Sequence, residues 1–382
     1  MKIQLTSAGF LALFSWWNFG SNEDNVSPEE ETPLETVETP AVPTIDGYIP
    51  ERLPFSHATA DLPLSEQLSG ACAACHSDVF EQWYSDPHRA GLKSEKLLAS
   101  WAAHNSAPDC QSCHLPLFGQ TPTVSPTFVS GDATQPIPSP NPNFEANLYV
   151  ESVGCASCHI RDGKIVGQSS TAAPHSLVHS EQLGQSSACQ SCHQGQPAGY
   201  AEPIYNTYAE WEESRFAKAG VQCQDCHMSS IPTSTSLVGK LTQSNHQMSL
   251  TIRQALRVEW VDAPATVKRG ELTHFNINII NSGAGHAIPT GSPFEDNALV
   301  FEVIKDGKSL QKPIEHRLGY VFSESQPKTI VERSIIPADG TLSFQIPVNI
   351  GQKKLPGRAL LRISYVEREN PSTLVEYPIE IR

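Results

Sequence analysis

All ten cysteines of the 382-residue chain fall in one repeated pentapeptide, Cys-x-x-Cys-His. The cysteines are Cys72, Cys75, Cys110, Cys113, Cys155, Cys158, Cys189, Cys192, Cys223 and Cys226, and the motif histidines are His76, His114, His159, His193 and His227. Two thiols at this spacing add across the two vinyl groups of one porphyrin, while the adjacent imidazole reaches the iron. The pattern therefore predicts five covalently attached haem c groups.

Other uses of paired cysteines explain this pattern less well. A tetrahedral zinc site joins two Cys-x-x-Cys pairs, so five pairs leave one without a partner. A thioredoxin-like dithiol occurs once, near a βαβ pattern. Structural disulfides in an exported protein need neither a fixed spacing nor an adjacent histidine. We therefore favour haem attachment over zinc and disulfides.

The histidines outside the motifs decide whether each iron has a second protein ligand. Of the fourteen histidines, five lie in the motifs and nine do not. An iron with two protein ligands has no vacancy for a substrate, whereas an iron with only its motif histidine can bind small molecules. The candidate second ligands are His88, His246, His179, His175, His104, His57 and His286. His274 and His316 lie in strand-like segments and are predicted to be structural.

Two predicted helices carry related patterns after the first and fourth motifs. They cover residues 79–84 and 205–218. Trp83 is followed five residues later by His88, and Trp211 is followed five residues later by Phe216. The second copy thus has a phenyl ring where the first has an imidazole, which makes the Phe216 position a candidate vacancy for an enzyme. The Pro-, Ser- and Thr-rich connection at 121–147 predicts an irregular surface loop.

After residue 249 the sequence changes to short segments of period two. They cover residues 255–261, 274–280, 298–304, 342–348, 359–366 and 374–379, with Asp-Gly turns at 306–307 and 339–340. We predict an α+β multidomain chain. A mostly α-helical and irregular pentahaem cytochrome domain covers 55–249, and an all-β immunoglobulin-like sandwich covers 250–382. A glycine-flanked loop holds His286, which either ligates a haem, binds a propionate or belongs to a plain turn.

The N-terminal residues predict export. Residues 1–20 have a lysine at position 2 and contain a short apolar stretch, which is typical of a signal peptide or an N-terminal anchor. Residues 21–54 are rich in Glu, Pro and Thr and predict a disordered acidic linker, either a membrane tether or a processed leader. Because c-type haems are attached outside the bacterial cytoplasm, we expect a periplasmic or cell-surface protein.

The net charge of −15 limits the partners. It argues against nucleic acid and against an anionic membrane surface, since both repel an acidic protein. It favours a redox partner protein with a basic docking surface, although acidity also serves solubility alone.

The motifs, the tryptophan-containing segment ending at His88, the string 223–228 and the loop 285–291 together resemble the cytochrome c554-type multihaem cytochromes, notably members with an appended β-sandwich. The resemblance covers about residues 55–290. It implies close-stacked haem pairs, mainly bis-histidine iron and electron transfer at the periplasm or cell surface. Relatives also include enzymes acting on nitrogen or sulfur compounds, and chains that form oligomers or haem filaments. The pentahaem nitrite reductases differ, because they use a lysine in one motif.

Two functions follow from these observations. We favour an electron-transfer cytochrome without catalytic residues. The alternative is a multihaem oxidoreductase in which one five-coordinate haem acts on a small nitrogen or sulfur compound. The number of irons that lack a second protein ligand separates the two.

Overall fold

The computed structural model describes residues 67–91, 95, 97–98, 108–128, 136–168, 175–197, 199–232, 242–367 and 369–382. The predicted signal or anchor at 1–20, the predicted linker at 21–54, and the candidate ligands His57 and His104 lie outside these residues. By their contacts, residues 44–382 form one unit that contains every element described below. The predicted domain boundary at residue 249 therefore stays a prediction. No helix in the part described is both long and apolar enough to cross a membrane.

The helices that the structure describes are short. They are α1 Ser69–Ala73, α2 Ser77–Tyr84, α3 Pro87–Ala90, α4 Pro108–His114, α5 Ala146–Tyr149, α6 Cys155–His159, α7 Ser187–His193, α8 Thr207–Glu213, α9 Arg215–Lys218, α10 Cys223–His227 and α11 Ile252–Ala255, with 3-10 turns at Phe118–Gln120 and Glu181–Gly184. Helices this short are not stable alone, so packing must hold them. The buried apolar cluster among them is small and consists of Leu117, Leu148, Ala156 and Ile160. A protein core this small is consistent with a region in which bound porphyrins would supply most of the apolar interior.

Both predicted helices are present, and the second is interrupted. Residues 79–84 lie within α2, while 205–218 is divided into α8 and α9 at Ser214. The Ser214 hydroxyl accepts hydrogen bonds from the backbone amides of Phe216 and Ala217, at 3.2 and 3.4 Å. Since serine is a favoured N-cap, it ends the first helix and begins the second.

The predicted irregular loop at 121–147 was wrong in part. Strand β1 Thr123–Phe128 pairs antiparallel with β2 Pro136–Pro140, and α5 follows. A two-stranded ribbon consists only of edge strands, which tolerate proline because one row of their amides needs no partner. Further short strands in this region are β3 Ile160–Arg161, β4 Lys164–Gly167, β5 Val178–His179, β6 Ser230–Pro232 and β7 Thr242–Ser244.

Two sheets form the C-terminal part of the chain. The strands are β8 Leu256–Asp262, β9 Thr266–Val267, β10 Leu272–Asn281, β11 Asn297–Lys305, β12 Lys308–Ser309, β13 Ile314–Phe322, β14 Ile330–Ser334, β15 Thr341–Asn349, β16 Gly357–Glu367 and β17 Asn370–Ile381. One sheet has the order β15-β10-β8 and the other has β14-β13-β11-β16-β17-β9, with β12 beside β11. Neighbours are antiparallel except β17 and β9.

The two sheets bury one shared apolar core. On β10, Phe275, Ile277 and Ile279 are buried and alternate with less buried residues, as a strand with one covered face requires. Leu299 on β11 and Leu361 on β16 meet them from the other sheet. All six predicted strands are confirmed, as is the α+β class.

Leu361 offers a direct measure of this core. It has 0% exposure, so Leu361→Ala is expected to lower the free energy of unfolding by about 2–5 kcal/mol through a lost transfer term and a cavity. Leu355→Ala, at a residue 75% exposed, is the matched control, with an expected change within about 0.5 kcal/mol. Hydrogen exchange of peptides from β10, β11 and β16 reports both values. Equal protection in the two variants would contradict a shared core around Leu361.

Candidate haem-binding centres

Three motif histidines each face a second histidine from elsewhere in the chain. The pairs and the distances between their ring centres are His88 and His193 at 6.1 Å, His159 and His246 at 6.2 Å, and His227 and His286 at 6.2 Å. The planes of the rings meet at 70°, 28° and 24° respectively. Each pair thus brings together one motif histidine and one candidate second ligand.

The gap between the paired rings fits a metal ion. Two metal–imidazole bonds of about 2.0–2.1 Å, with about 1.1 Å from each ring centre to its ligating nitrogen, require about 6.2–6.4 Å between ring centres. A direct hydrogen bond of about 2.9 Å between two ring nitrogens would instead bring the centres to about 5 Å. The same gap recurs in three pairs built from different elements. The donor sets therefore suit bis-imidazole coordination of haem iron.

The second nitrogen of each paired imidazole shows which tautomer is present. In four of the rings Nδ1 lies 2.7–2.9 Å from a backbone carbonyl oxygen: His159 with Val166, His227 with Met248, His246 with Ser244, and His286 with Ala287. A carbonyl oxygen only accepts, so Nδ1 must carry the proton. The lone pair of Nε2 is then free, which is the arrangement of a metal-ligating histidine.

Partial burial favours the neutral form of three of the paired imidazoles. It lowers the pKa of His246 to about 4, with His159 and His76 adding to the effect. It also lowers the pKa of His159 and of His286. Neutral imidazole is the form that ligates metals, so the rings are ready for coordination at neutral pH.

A buried serine joins the first and third motifs. The Ser69 hydroxyl accepts a hydrogen bond from the Cys155 backbone amide at 3.0 Å and donates to a Glu151 carboxylate oxygen at 2.7 Å. The Ser69 backbone amide also donates to Glu151, at 3.0 Å. In addition, the thiols of Cys72 and Cys155 hydrogen-bond, which lowers the pKa of Cys72 to about 7 and raises that of Cys155. The attachment points of these two motifs are therefore in contact.

The fourth and fifth motifs are joined in the same way. The Ser186 hydroxyl accepts from the Cys223 backbone amide at 2.9 Å and donates to the Gln222 side-chain oxygen at 3.0 Å. The thiols of Cys189 and Cys223 also hydrogen-bond, which lowers the pKa of Cys223 to about 6. Ser186 precedes Cys189 by the interval at which Ser69 precedes the first motif. The chain thus contains two copies of one structural unit.

The tryptophans noted in the sequence occupy equivalent places in the two copies. The Trp83 indole donates to the Val153 carbonyl at 2.8 Å, and the Trp211 indole donates to the Val221 carbonyl at 3.0 Å. Each carbonyl lies two residues before the first cysteine of the partner motif. Both contacts tie the helix after one motif to the start of the other. The two segments that are similar in sequence therefore also make the same contact in the structure.

His88 and Phe216 are equivalent residues as well. Asp86 caps α3 by accepting from the His88 backbone amide at 3.0 Å, just as Ser214 caps α9 by accepting from that of Phe216. Asp86 also accepts from His88 Nδ1 at 2.8 Å and from the Met248 backbone amide at 2.7 Å. Burial raises the pKa of this carboxyl, but these hydrogen bonds outweigh burial and hold it below its usual range. The sequence signal for this overlooked residue was an N-cap aspartate followed by proline at the first helical position.

His286 reaches the fifth motif from the loop between β10 and β11. The loop lies so close to α8 and α9 that a side-chain carbon on Gly285 would stand 3.3 Å from Trp211 Cδ1 and Ser214 Oγ. It would also stand 3.4 Å from Phe216 Cβ. These distances are tighter than ordinary van der Waals contact, so this close approach favours glycine. Phe216, the candidate vacancy, thus packs beside the loop that carries an imidazole to the fifth motif.

Glu210 fastens the same loop to α8. Its carboxylate accepts from the Ala287 backbone amide at 3.1 Å and from the Thr290 hydroxyl at 2.7 Å. The hydroxyls of Thr207 and Thr290 are 2.8 Å apart. Side chains from one helix therefore position the loop beside His286, and the sequence alone gave no indication of this.

Two of the remaining candidate ligands, His175 and His179, make no ring contact with a motif histidine in the part of the chain that the structure describes. His175 and His179 are exposed, and His175 Nδ1 lies 3.2 Å from the Ser176 carbonyl oxygen. Among the ring contacts of the described residues, neither meets a motif histidine, and neither His76 nor His114 meets a second imidazole. The second ligands of the first two motifs stay a prediction that includes His57 and His104.

The two histidines predicted to be structural lie in the sandwich. His274 is exposed on β10, whereas His316 on β13 packs against Phe344 and lies 2.9 Å from the Ser334 hydroxyl. In the ranges that the structure describes, no group of three or more His, Cys, Asp or Glu side chains is arranged to hold a metal ion. Six of the described imidazoles form three pairs, and two imidazoles are the number of protein ligands that a bis-histidine haem takes.

The repeated attachment motifs and the paired imidazoles define a c-type cytochrome. The family described as cytochrome c554 and c-prime matches residues 71–160, which hold the first three motifs. The match confirms the predicted resemblance for that segment and, with it, haem c as the cofactor of this class.

Other comparisons add little. No curated protein matches the chain. Among solved structures, alkylpurine DNA glycosylase AlkC of Pseudomonas fluorescens is similar at 12% identity, over 34% of this chain and 30% of that chain, with a TM-score of 0.22. The CARDB domain of a Pyrococcus furiosus protein is similar at 12% identity, over 33% and 94%, with a TM-score of 0.21. A β-glucosidase from Listeria innocua covers 33% and 16% at 12% identity, with a TM-score of 0.18. These TM-scores are too low to assign a fold or a function.

Proposed function

We propose that this chain is an exported pentahaem c-type cytochrome that transfers electrons through five covalently attached, mainly bis-histidine haems to a redox partner. The observation that carries the proposal is the recurrence of one ring-centre distance, 6.1–6.2 Å, in three pairs that each include a motif histidine. A fourth and a fifth pair, built on His76 and His114, would complete the set.

In this function the protein would hold the haems and keep small molecules away from their irons. A bound haem supplies a one-electron Fe(III)/Fe(II) couple. The motif cysteines would attach each porphyrin, and the paired imidazoles would hold the iron between them and exclude a substrate from it. The backbone carbonyls at the four Nδ1 atoms keep the rings oriented and their protons in place.

Contacts between motifs support a continuous path for electrons. Besides the two serine-joined pairs, the second motif touches the fourth, because the Cys113 sulfur lies 4.0 Å from the Cys192 carbonyl oxygen. Arg161 lies within electrostatic range of both Cys158 and Cys192, which links the third motif to the fourth. The motifs then follow the order first, third, fourth, fifth, with the second as a branch on the fourth.

The rest of the chain suits an exported carrier. The sandwich, which we propose to be of the immunoglobulin-like kind, supplies His286 and presents a surface for docking. The acidic chain would recognise a basic patch on a redox partner at the periplasm or cell surface. Residues 1–54 would serve as export signal or anchor and as tether.

Intact mass and carbon monoxide binding test the proposal together. The secreted holoprotein is expected to carry the mass of five haems, and the C223A/C226A variant that of four. The dithionite-reduced protein is expected to leave its Soret band unchanged under carbon monoxide, because six-coordinate iron excludes the ligand. Carbon monoxide binding at one haem would instead favour the oxidoreductase.

A further inference from the structure

Asp86 is a buried carboxylate at the meeting point of several ligand histidines. Its side chain is 1% exposed. One oxygen accepts from the backbone amide and Nδ1 of His88, and the other accepts from the Met248 backbone amide at 2.7 Å. The Met248 carbonyl in turn accepts from His227 Nδ1 at 2.7 Å. A single carboxylate therefore contacts His88, which faces the fourth motif, directly, and it contacts His227 of the fifth motif through the backbone of one residue, Met248.

His88 differs from the other paired imidazoles in what its Nδ1 proton meets. His159, His227, His246 and His286 each donate to a neutral backbone carbonyl. His88 donates to a carboxylate. A negative acceptor draws the proton more strongly, so the ring gains imidazolate character and donates more electron density through Nε2. A stronger donor favours Fe(III) over Fe(II) and lowers the reduction potential.

The second copy of the structural unit shows that the helix cap alone does not need a carboxylate. Ser214 caps α9 at the equivalent position with a neutral hydroxyl. In that copy the capped helix presents Phe216 and has no imidazole to polarise. The carboxylate therefore occurs in the copy in which the helix carries a ligand histidine.

We propose that Asp86 is a positioning residue that lowers the reduction potential of the haem held between His88 and His193. The inference rests on the proposed function. One electron arrives from a neighbouring haem and one leaves to another, while the proton stays on His88 Nδ1 and Asp86 stays ionised. The second, third and fifth motifs all lie next to the fourth, so the haem of the fourth motif is central to the electron path. Asp86 would therefore set the reduction potential at the centre of that path.

The crossing angle of the two rings gives this centre its own spectroscopic signature. The His88 and His193 planes cross at 70°, whereas the other two pairs lie at 28° and 24°. Crossed planes leave the iron orbitals that overlap with the imidazoles nearly equal in energy, which gives a strongly anisotropic low-spin electron paramagnetic resonance signal. Nearly parallel planes give a rhombic signal. The anisotropic signal that His88→Ala removes is therefore the one to follow.

Redox titration of that signal in Asp86→Ser and Asp86→Asn tests the inference. Both residues can still cap α3, and both remove the charge. The midpoint potential is expected to shift to more positive values in each variant. Glu151→Gln is the matched control, since it removes a carboxylate that contacts Ser69 rather than a ligand ring and reproduces the Gln222 of the second copy. Its midpoint for this signal is expected to equal that of the unmodified protein.

Three results distinguish the possible failures. An unchanged midpoint with the anisotropic signal intact overturns the role of Asp86 while leaving the proposed function in place. Loss of the anisotropic signal in both variants means that the carboxylate only holds His88 on the iron, which also overturns it. A protein without covalent haem, by mass, defeats the proposed function itself.

Discussion

Replacing His286 with alanine is expected to open one iron. The reduced holoprotein should gain carbon monoxide binding at a single haem, and the oxidised protein should gain one high-spin signal. The reason is that His286 stands 6.2 Å, ring centre to ring centre, from His227, and among the described residues no other imidazole is in ring contact with His227. Soret absorbance, quantified per haem, measures the change.

Two controls separate ligation from general damage to the sandwich. His274→Ala and His316→Ala remove histidines from the same pair of sheets, on β10 and β13, and neither is expected to create a carbon monoxide site. His286→Met is expected to keep six-coordinate iron with a shifted spectrum, because a thioether also ligates haem iron. If His286→Ala binds no carbon monoxide, the loop is a plain turn and the fifth iron has another ligand.

Replacing His88 with alanine is expected to have an effect of similar size at a different haem. One iron should bind carbon monoxide, and the anisotropic low-spin signal should disappear while rhombic signals persist, because only the pair with His193 is strongly crossed among those described. Phe216→Ala is the matched control at the equivalent position of the second copy, and it should leave every iron six-coordinate. Loss of a rhombic signal instead would assign His88 to another centre.

The sequence predicted the chemistry of the centres better than their partners. Motif spacing is local, so the attachment sites follow from five residues at a time. The pairing of ligands depends on packing between distant segments. His88 follows the first motif yet faces the fourth, and His246 follows the fifth motif yet faces the third. Nothing in the spacing of these histidines encodes that exchange.

The fold, too, could be predicted from the sequence only in part. The six strands with clear alternation were predictable because their core faces carry apolar residues at every second position. Strand β13 was missed because His316, Arg317 and Gly319 interrupt its apolar pattern, and β14 because charged residues occupy it. The ribbon of β1 and β2 was hidden by prolines that a two-stranded edge arrangement tolerates.

Because the second histidines come from distant segments, the haem centres would be completed in a definite order as the chain is made. In a polypeptide made from its N-terminus, His88 precedes the fourth motif, so that centre has both its histidines as soon as the motif has emerged. The third centre must wait for His246, and the fifth must wait until the loop after β10 is complete. Each of these iron–histidine bonds would close a long loop of the chain. Closing a long loop removes the most conformational freedom from an unfolded chain. The sandwich would therefore supply the last ligand, His286, after the ligands of the third and fourth centres have been made.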